Sequence, residues 1–405
     1  MENTARIRFL DAKTPPHIMT LILIAGLSAL SLNIFLPSLP SMAAFFGVEY
    51  HLMQLSLSGY LAATALVQLF IGPVSDRYGR RPVMLTTSGI FILATVGAVL
   101  APNFAVFMAC RMVQAAIATG LVLSRAVVRD MYAQDQSASM IGYVTMGMSV
   151  VPMVGPVIGG ALDAAFGWQA SFILLAVGGV GLFALIWADM GETAKSSGLS
   201  FTAQVRQYPE LLKSQRFWGY CLGSAFSSGA FFAYLGGAPF VGTNVFQMDS
   251  ATLGFFFGAP AVGYLVGNFL SGRFAVRVGV NRMMLAGALV STAGLALLAL
   301  VATSGAVTPG LFFGLMIFLG LGNGISLPSA NAGMLSVRPH LAGSASGLGG
   351  AFMIGGGAAL SALAGVLLVP GSGTLPLVLL MLATSMASVI CALWVMRRAR
   401  TVGAT

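Results

Sequence analysis

Leu69–Leu85 reads LFIGPVSDRYGRRPVML. An apolar run ends in Gly72-Pro73, a single acid, Asp76, follows, then Arg77, Gly79, Arg80 and Arg81, and a second apolar run begins at once. Charged residues make up 8% of the chain and hydrophobic ones 57%, so a cluster this dense marks a place where the backbone has to meet water. The pattern predicts a tight turn between two membrane helices, with Gly72 and Gly79 permitting close approach and a sharp reversal. Outward from this turn, apolar stretches of the roughly 20 residues that a helix needs to cross a bilayer recur along the 405-residue chain. Twelve spans are predicted, at 18–39, 53–74, 83–101, 104–127, 138–161, 169–188, 217–238, 251–272, 283–302, 309–333, 343–368 and 374–396.

A mean hydropathy of +0.91 is incompatible with a soluble domain of this length. Helices rather than a barrel are expected, because backbone groups in lipid must be satisfied within the segment and no short alternating strands are visible. The first apolar run is long enough to span and has no small-residue cleavage site after it, so it reads as a retained helix.

The net charge of +9 does not signal nucleic acid, because the basic residues sit in turns without interleaved aromatics. With the N-terminus placed in the cytoplasm, 19 of the 20 basic residues fall in inside segments, including Arg6, Arg8, Lys13, Lys195 and Arg206, and none in outside turns. This is the positive-inside asymmetry of a polytopic protein with both termini cytoplasmic. The remaining one, Arg111, falls within a span.

The fold class expected is all-α: two pseudo-symmetric six-helix bundles, residues 1–188 and 216–405, joined by a polar cytoplasmic loop at 189–215. The two halves look related, since SGRFAVRVGVNRMML from Ser271 is a faded copy of the opening motif at the same position in its half. Duplication of this kind is common among secondary transporters.

Five constellations bear on function. In the opening motif, Asp76 beside Arg77, Arg80 and Arg81 reads as a latch between cytoplasmic helix ends, or as a topology anchor with a solvated ion pair. Arg111, with Gln114 at i+3 on the same face, is a functional candidate because a guanidinium at membrane depth needs a cavity or a partner; the alternative is an arginine reaching back to the outer interface. In the fifth span, Gly155, Gly159, Gly160 and Ala161 let another helix approach closely and Pro156 kinks the span, a moving interface or ordinary glycine-mediated packing. Asn33 in SLNIFLPSLP serves either an interhelical hydrogen bond or a cavity contact. In the seventh span Phe231, Phe232 and Tyr234 suit the wall of an apolar pocket, or a packing stripe, with Asn323 of the tenth span as a polar wall opposite.

These residues carry a family resemblance over nearly the whole chain. GPVSDRYGRRP resembles the loop signature of the major facilitator superfamily, Arg111 and Gln114 its fourth-helix motif, and GPVIGG from Gly155 to Gly160 its antiporter motif. SLNIFLPSLP, RAVVRDMY (Arg125 to Tyr132, including Asp130) and FFAYLGGAPFV (Phe231 to Val241) are similar to the bicyclomycin/chloramphenicol-resistance (Bcr/CflA) drug-exporter branch. The resemblance implies alternating access in a bacterial inner membrane, with small hydrophobic drugs exported against an inward flow of protons. It further implies that Arg111 modulates a proton site and that Asp76 and its arginines gate the cytoplasmic side. The branch carries an acid where this chain has Asn33, so coupling is expected at Asp76, Asp130 or Asp163, or export is weakly coupled. A metabolite uptake symporter or facilitator is the alternative. The three cysteines and three histidines form no metal or catalytic spacing, so no enzyme, cofactor or metal is expected. The partners expected are a small hydrophobic substrate, protons and the bilayer, with the chain acting as a monomer.

Overall fold

In a computed structural model, residues 8–132, 134–194, 209–338 and 341–401 are described. Arg6, Lys195, Arg206 and much of the predicted 189–215 loop lie outside them, as does the Asp135 side chain. The described chain forms α1 (Ile18–Phe46), α2 (Tyr50–Tyr78), α3 (Arg80–Val99), α4 (Phe104–Met131), α5 (Gln134–Phe166) and α6 (Gln169–Asp189). It continues with α7 (Gln215–Phe240), α8 (Ser250–Val278), α9 (Val280–Thr303), α10 (Pro309–Ser336), α11 (Ala342–Leu367) and α12 (Leu375–Thr401). No strand occurs among the described residues.

Ten of these helices are long and apolar enough to cross a membrane. The other two are α5, apolar over Val154–Phe166, and α7. Helix α7 is 26 residues long and 20 of them are buried. It lies against α10, α11 and α12, so its surface meets protein rather than lipid and tolerates the serines and glycines that lower its hydropathy. The lipid-facing helices instead expose bare apolar side chains such as Leu93, Val177, Phe269, Leu300, Val366 and Ile390.

Several helices run past the predicted spans at their C-terminal ends, α4 to Met131 and α10 to Ser336, while capping groups fix their starts where the apolar runs begin. Asn103 Oδ1 accepts from Val106 N at 3.0 Å to open α4, and Thr308 Oγ1 accepts from Leu311 N at 3.3 Å to open α10. Helix α1 was expected to end at 39 but continues to Phe46 through a tighter 3₁₀ turn at Leu36–Ser38, where Pro37 and Pro40 interrupt the regular ladder. Helices α4 and α8 also change gait, α4 at the 3₁₀ turn Ala115–Ala118 and α8 at Gly258.

The opening motif is a one-residue turn. Gly79, at φ +98°, joins α2 to α3. Its counterpart Gly279, at φ +90°, joins α8 to α9 at the equivalent place in the second half. Both positions demand glycine. These turns define a basic end of the molecule; the α1–α2 and α7–α8 connections define the opposite, or far, end.

Candidate functional site

The α4 helix delivers Arg111 into the packing of the first half, one turn before the Ala115–Ala118 break. The side chain is fully buried. Its Nη1 donates to Gln114 Oε1 at 2.7 Å, Nη2 to the Ser31 carbonyl at 2.9 Å and Nε to the Ser56 carbonyl at 3.3 Å. Gln114 in turn donates to Thr95 Oγ1 at 2.7 Å. Phe35 and Tyr60 present their rings to the guanidinium at 4.2 and 4.0 Å. No carboxylate pairs with Arg111 among the described residues. Carbonyl dipoles and ring faces therefore balance its charge. Sequence reasoning found Arg111 and Gln114 but not Ser31, Ser56, Phe35 or Tyr60. Two of those contribute only backbone oxygen, which every residue has.

Asn33 lies beside this cluster, at the end of the first segment of α1. Its Nδ2 bonds back to the Ala29 carbonyl at 2.7 Å, while its buried Oδ1 has no hydrogen-bond partner. Gly155 of α5 faces it, with room for a Cβ only at 3.6 Å from the Asn33 Cβ. One turn on, a Cβ at Gly159 would overlap the Ile34 carbonyl. Gly160 faces the other half: a Cβ there would overlap the Ser250 carbonyl and come within 3.2 Å of the Gly254 Cα of α8. The glycine run thus seats α5 against α1 on one side and α8 on the other, backbone to backbone.

Of the aromatic wall, Phe231 is half-buried and Phe232 packs over Gly357 of α11. Tyr234 is fully buried, donates to the Phe257 carbonyl at 2.9 Å and packs its ring, tilted by 31°, against Phe257 at 4.9 Å between centroids. That places Tyr234 in the packing of the second half. Asn323 accepts from Ser227 Oγ at 2.6 Å, tying α10 to α7.

At the basic end, Arg80 is the hub. It pairs with Asp76 at 2.5 Å and with Asp130 of α4 at 3.1 Å, and Nη1 also donates to Ser75 Oγ. Arg81 donates to the Trp187 carbonyl at 2.9 Å and lies over its indole. Arg77 lies over its neighbour Tyr78, and Gly72 has open space around it. The pairs link α2, α3 and α4, all within the first half. Glu192 caps α3 by accepting from Arg80 N at 2.8 Å and Arg81 N at 3.2 Å. The cap comes from 112 residues away, beyond the reach of any local signature. Asp189, fully buried, accepts from Thr20 Oγ1 at 2.6 Å and from the backbone of Leu10 and His17, binding the N-terminal segment to α6.

Hydrogen bonds join the two halves toward the far end. Tyr50 OH donates to the Gly236 carbonyl at 2.7 Å, and Gln54 Nε2 to the Ser361 carbonyl and hydroxyl at 2.6 and 2.7 Å. Asp163 of α5 accepts from Ser250 of α8. At the basic end of the second half lies a cavity of about 400 Å³ lined by Tyr220, Asn281, Arg216 and Arg282. No group of three or more metal-ligating side chains occurs among the described residues.

Comparison with known proteins supplies the frame for this geometry. The family model described as Major Facilitator Superfamily matches residues 21–362 and 239–404. The chain is 32% identical to the uncharacterized MFS-type transporter YdgK of Bacillus subtilis, covering 85% of this chain and 87% of that one. It is 31% identical to a chloramphenicol resistance protein of Pseudomonas aeruginosa, covering 78% and 76%. Its fold is similar to the crystal structure of a bacterial homolog of the human lysosomal transporter Spinster, with TM-score 0.71 and 20% identity over 95% of this chain and 96% of that one.

Proposed function

This chain belongs to the major facilitator superfamily, and from that premise we propose that it exports small, largely apolar drugs in exchange for protons by alternating access. A multi-pass transporter of this family moves its substrate through a site shared by two helical bundles. The observation that carries the reading is the crossing of α5 and α8 at Gly160 and Gly254. Backbones in contact, without interlocking side chains, make a joint that parts and re-forms at low cost. Resemblance to a chloramphenicol resistance protein supports a neutral, hydrophobic drug as cargo, and the apolar rim at Phe231 and Phe232 is suited to it.

In this reading residues 1–188 and 216–405 are the two rocking units and the 189–215 loop links them. The basic end faces the cytoplasm of a bacterial inner membrane with both termini inside. The Arg80 cluster stiffens the cytoplasmic ends of the first unit, and the monomer is the working form. Arg111, held without a counter-ion, disfavours a second positive charge nearby and so sets when a proton stays in the cleft.

A host lacking its own exporters, with and without the gene, tests the proposal. Cells carrying the gene should accumulate less chloramphenicol, and a protonophore should abolish the difference. Raised accumulation would instead identify an uptake carrier. A weakly coupled facilitator is a second reading, favoured by the amide at Asn33 and by Arg111 having no acid beside it among the described residues; there the protonophore would leave the difference intact.

A further inference from the structure

We infer that Asp163 is a proton-binding site that clamps the far-end gate shut when ionised. Its carboxylate accepts from Ser41 Oγ of α1 at 3.0 and 3.1 Å and from Ser250 Oγ at the start of α8. Asp163 thus joins its own half to the opposite one through a single ionisable group. Among the described acids the others are placed differently. Asp76 and Asp130 pair with Arg80, Glu49 with His51 and Glu210 with Arg338. Asp189 and Glu192 accept from the first half's own chain, and Asp249 caps its own helix. Asp11 accepts from Lys13 N.

The chemistry follows from the donor count. An ionised carboxylate has acceptor sites for both hydroxyls at once, and hydrogen bonds to it are roughly twice as strong as neutral ones. A proton taken up by Asp163 turns one oxygen into a donor and weakens the remaining bonds to the neutral class. One turn away the α5–α8 contact is glycine on glycine, so no side-chain interlock replaces the lost attraction. Asp163 is only half-buried, which leaves it a path to water at the far end. A proton arriving from that side therefore loosens the gate on the side it came from. The inference rests on the alternating-access reading above, though not on the identity of the drug.

Few other charges face the clamp. The segments packed on this end of α5 are the end of α1, the start of α8 and α6. Leu39–Phe46 and Ser250–Phe257 hold no ionisable residue, and α6 holds only Asp189, at its other end. Helix α4 also packs on α5; its charged residues are Arg111, held as described, and Arg125, Arg129 and Asp130 toward the basic end. Asp249 adjoins Ser250, but hydrogen bonds from Thr252 hold its carboxyl below the usual range. His51, paired with Glu49, is the histidine at this end.

The test is a distance measurement across the far end. Spin labels at Ala44 and Asn244, exposed in opposite halves, are placed in full-length protein with Cys110, Cys221 and Cys391 replaced and His51→Gln removing the histidine. Lowering the pH from about 7 to about 3, through the ordinary aspartate value of ~3.9, should raise the long-distance population at least ~3-fold. Asp163→Asn should show one distribution at both pH values. Ser250→Ala, which keeps the carboxylate but cuts the bond across the halves, should lose the response as well. A parent-like pH response in either variant overturns the inference. A parent that responds to pH yet exports no drug would refute the proposed cargo and leave the clamp standing.

Discussion

The guanidinium of Arg111 lies 4.0 Å over the ring of Tyr60, and the Tyr60 hydroxyl meets Ser31 Oγ at 2.6 Å on the residue whose carbonyl Arg111 also holds. Helices α1, α2 and α4 are thereby pinned around one buried charge. Replacing Arg111 by alanine would strand the Gln114 side-chain oxygen and the Ser31 carbonyl at the α1 break, each costing about 1–3 kcal/mol when buried unpaired, while the Ser56 carbonyl keeps its partner in the α2 ladder. Arg111→Lys keeps the charge but has no planar fork to reach three acceptors. Both variants should lose at least about tenfold in export rate, equivalent to ~1.4 kcal/mol, with the alanine variant also melting earlier. Vesicle efflux and thermal unfolding in detergent check the two effects separately. Tyr60→Phe, which keeps the ring and drops one hydroxyl, should retain most of the activity.

Arg80 serves two acids, Asp76 and Asp130, so its loss leaves two carboxylates facing one another without a cation. Both are partly solvated, with 28% and 19% of their side chains exposed, so the penalty should fall below that of a fully buried pair, at about 2 kcal/mol. Arg80→Ala should destabilise more than Asp130→Ala, and the double variant should cost less than the two single losses combined. Thermal unfolding of the four proteins gives the coupling directly.

The membrane-spanning architecture was readable in the sequence because bilayer thickness imposes it on every segment alike. Apolar length located the helices, and the i+3 spacing put Gln114 within reach of Arg111 because helix geometry is local. What escaped notice is non-local. Glu192 reaches the α3 N-terminus from 112 residues along the chain. Arg111's other partners are carbonyls and ring faces, with no residue-type signature. Tyr234 looked like a pocket wall from composition, yet its hydroxyl bonds the Phe257 carbonyl inside the second half; whether an aromatic lines a cleft or fills a core depends on helix rotation.

Glu192 and Asp249 cap helices with carboxylates and should differ in what their removal does. Glu192→Ala strips two bonds from the α3 N-terminus and should cost about 1 kcal/mol near neutral pH. Asp249 is held below its ordinary range by hydrogen bonds from Thr252, so its contribution is present above the unfolded carboxylate range of about 4 and is lost as pH falls through the depressed value. Melting temperature followed against pH should lose part of its acid limb in Asp249→Asn.

The contact between Gly160 and Gly254 gives the sharpest test of the joint between the halves. A methyl group at Gly160 would run into the Ser250 carbonyl, and one at Gly254 into the Pro156 carbonyl; both obstacles are backbone, so neither can turn aside. Forcing a methyl into a filled contact typically costs about 1–3 kcal/mol. Here that cost should fall on the state in which the far ends touch. Gly160→Ala and Gly254→Ala should each hold the far end open, and together they should add little beyond either alone, because the first already parts the helices. Accessibility of a cysteine at Ser361, sealed against Gln54 in this state, to a water-soluble maleimide would report the opening: it should rise in both variants. Gly181→Ala, where an added carbon meets nothing, should leave it unchanged. Equal labelling in all three would mean that the α5–α8 crossing does not govern the gate.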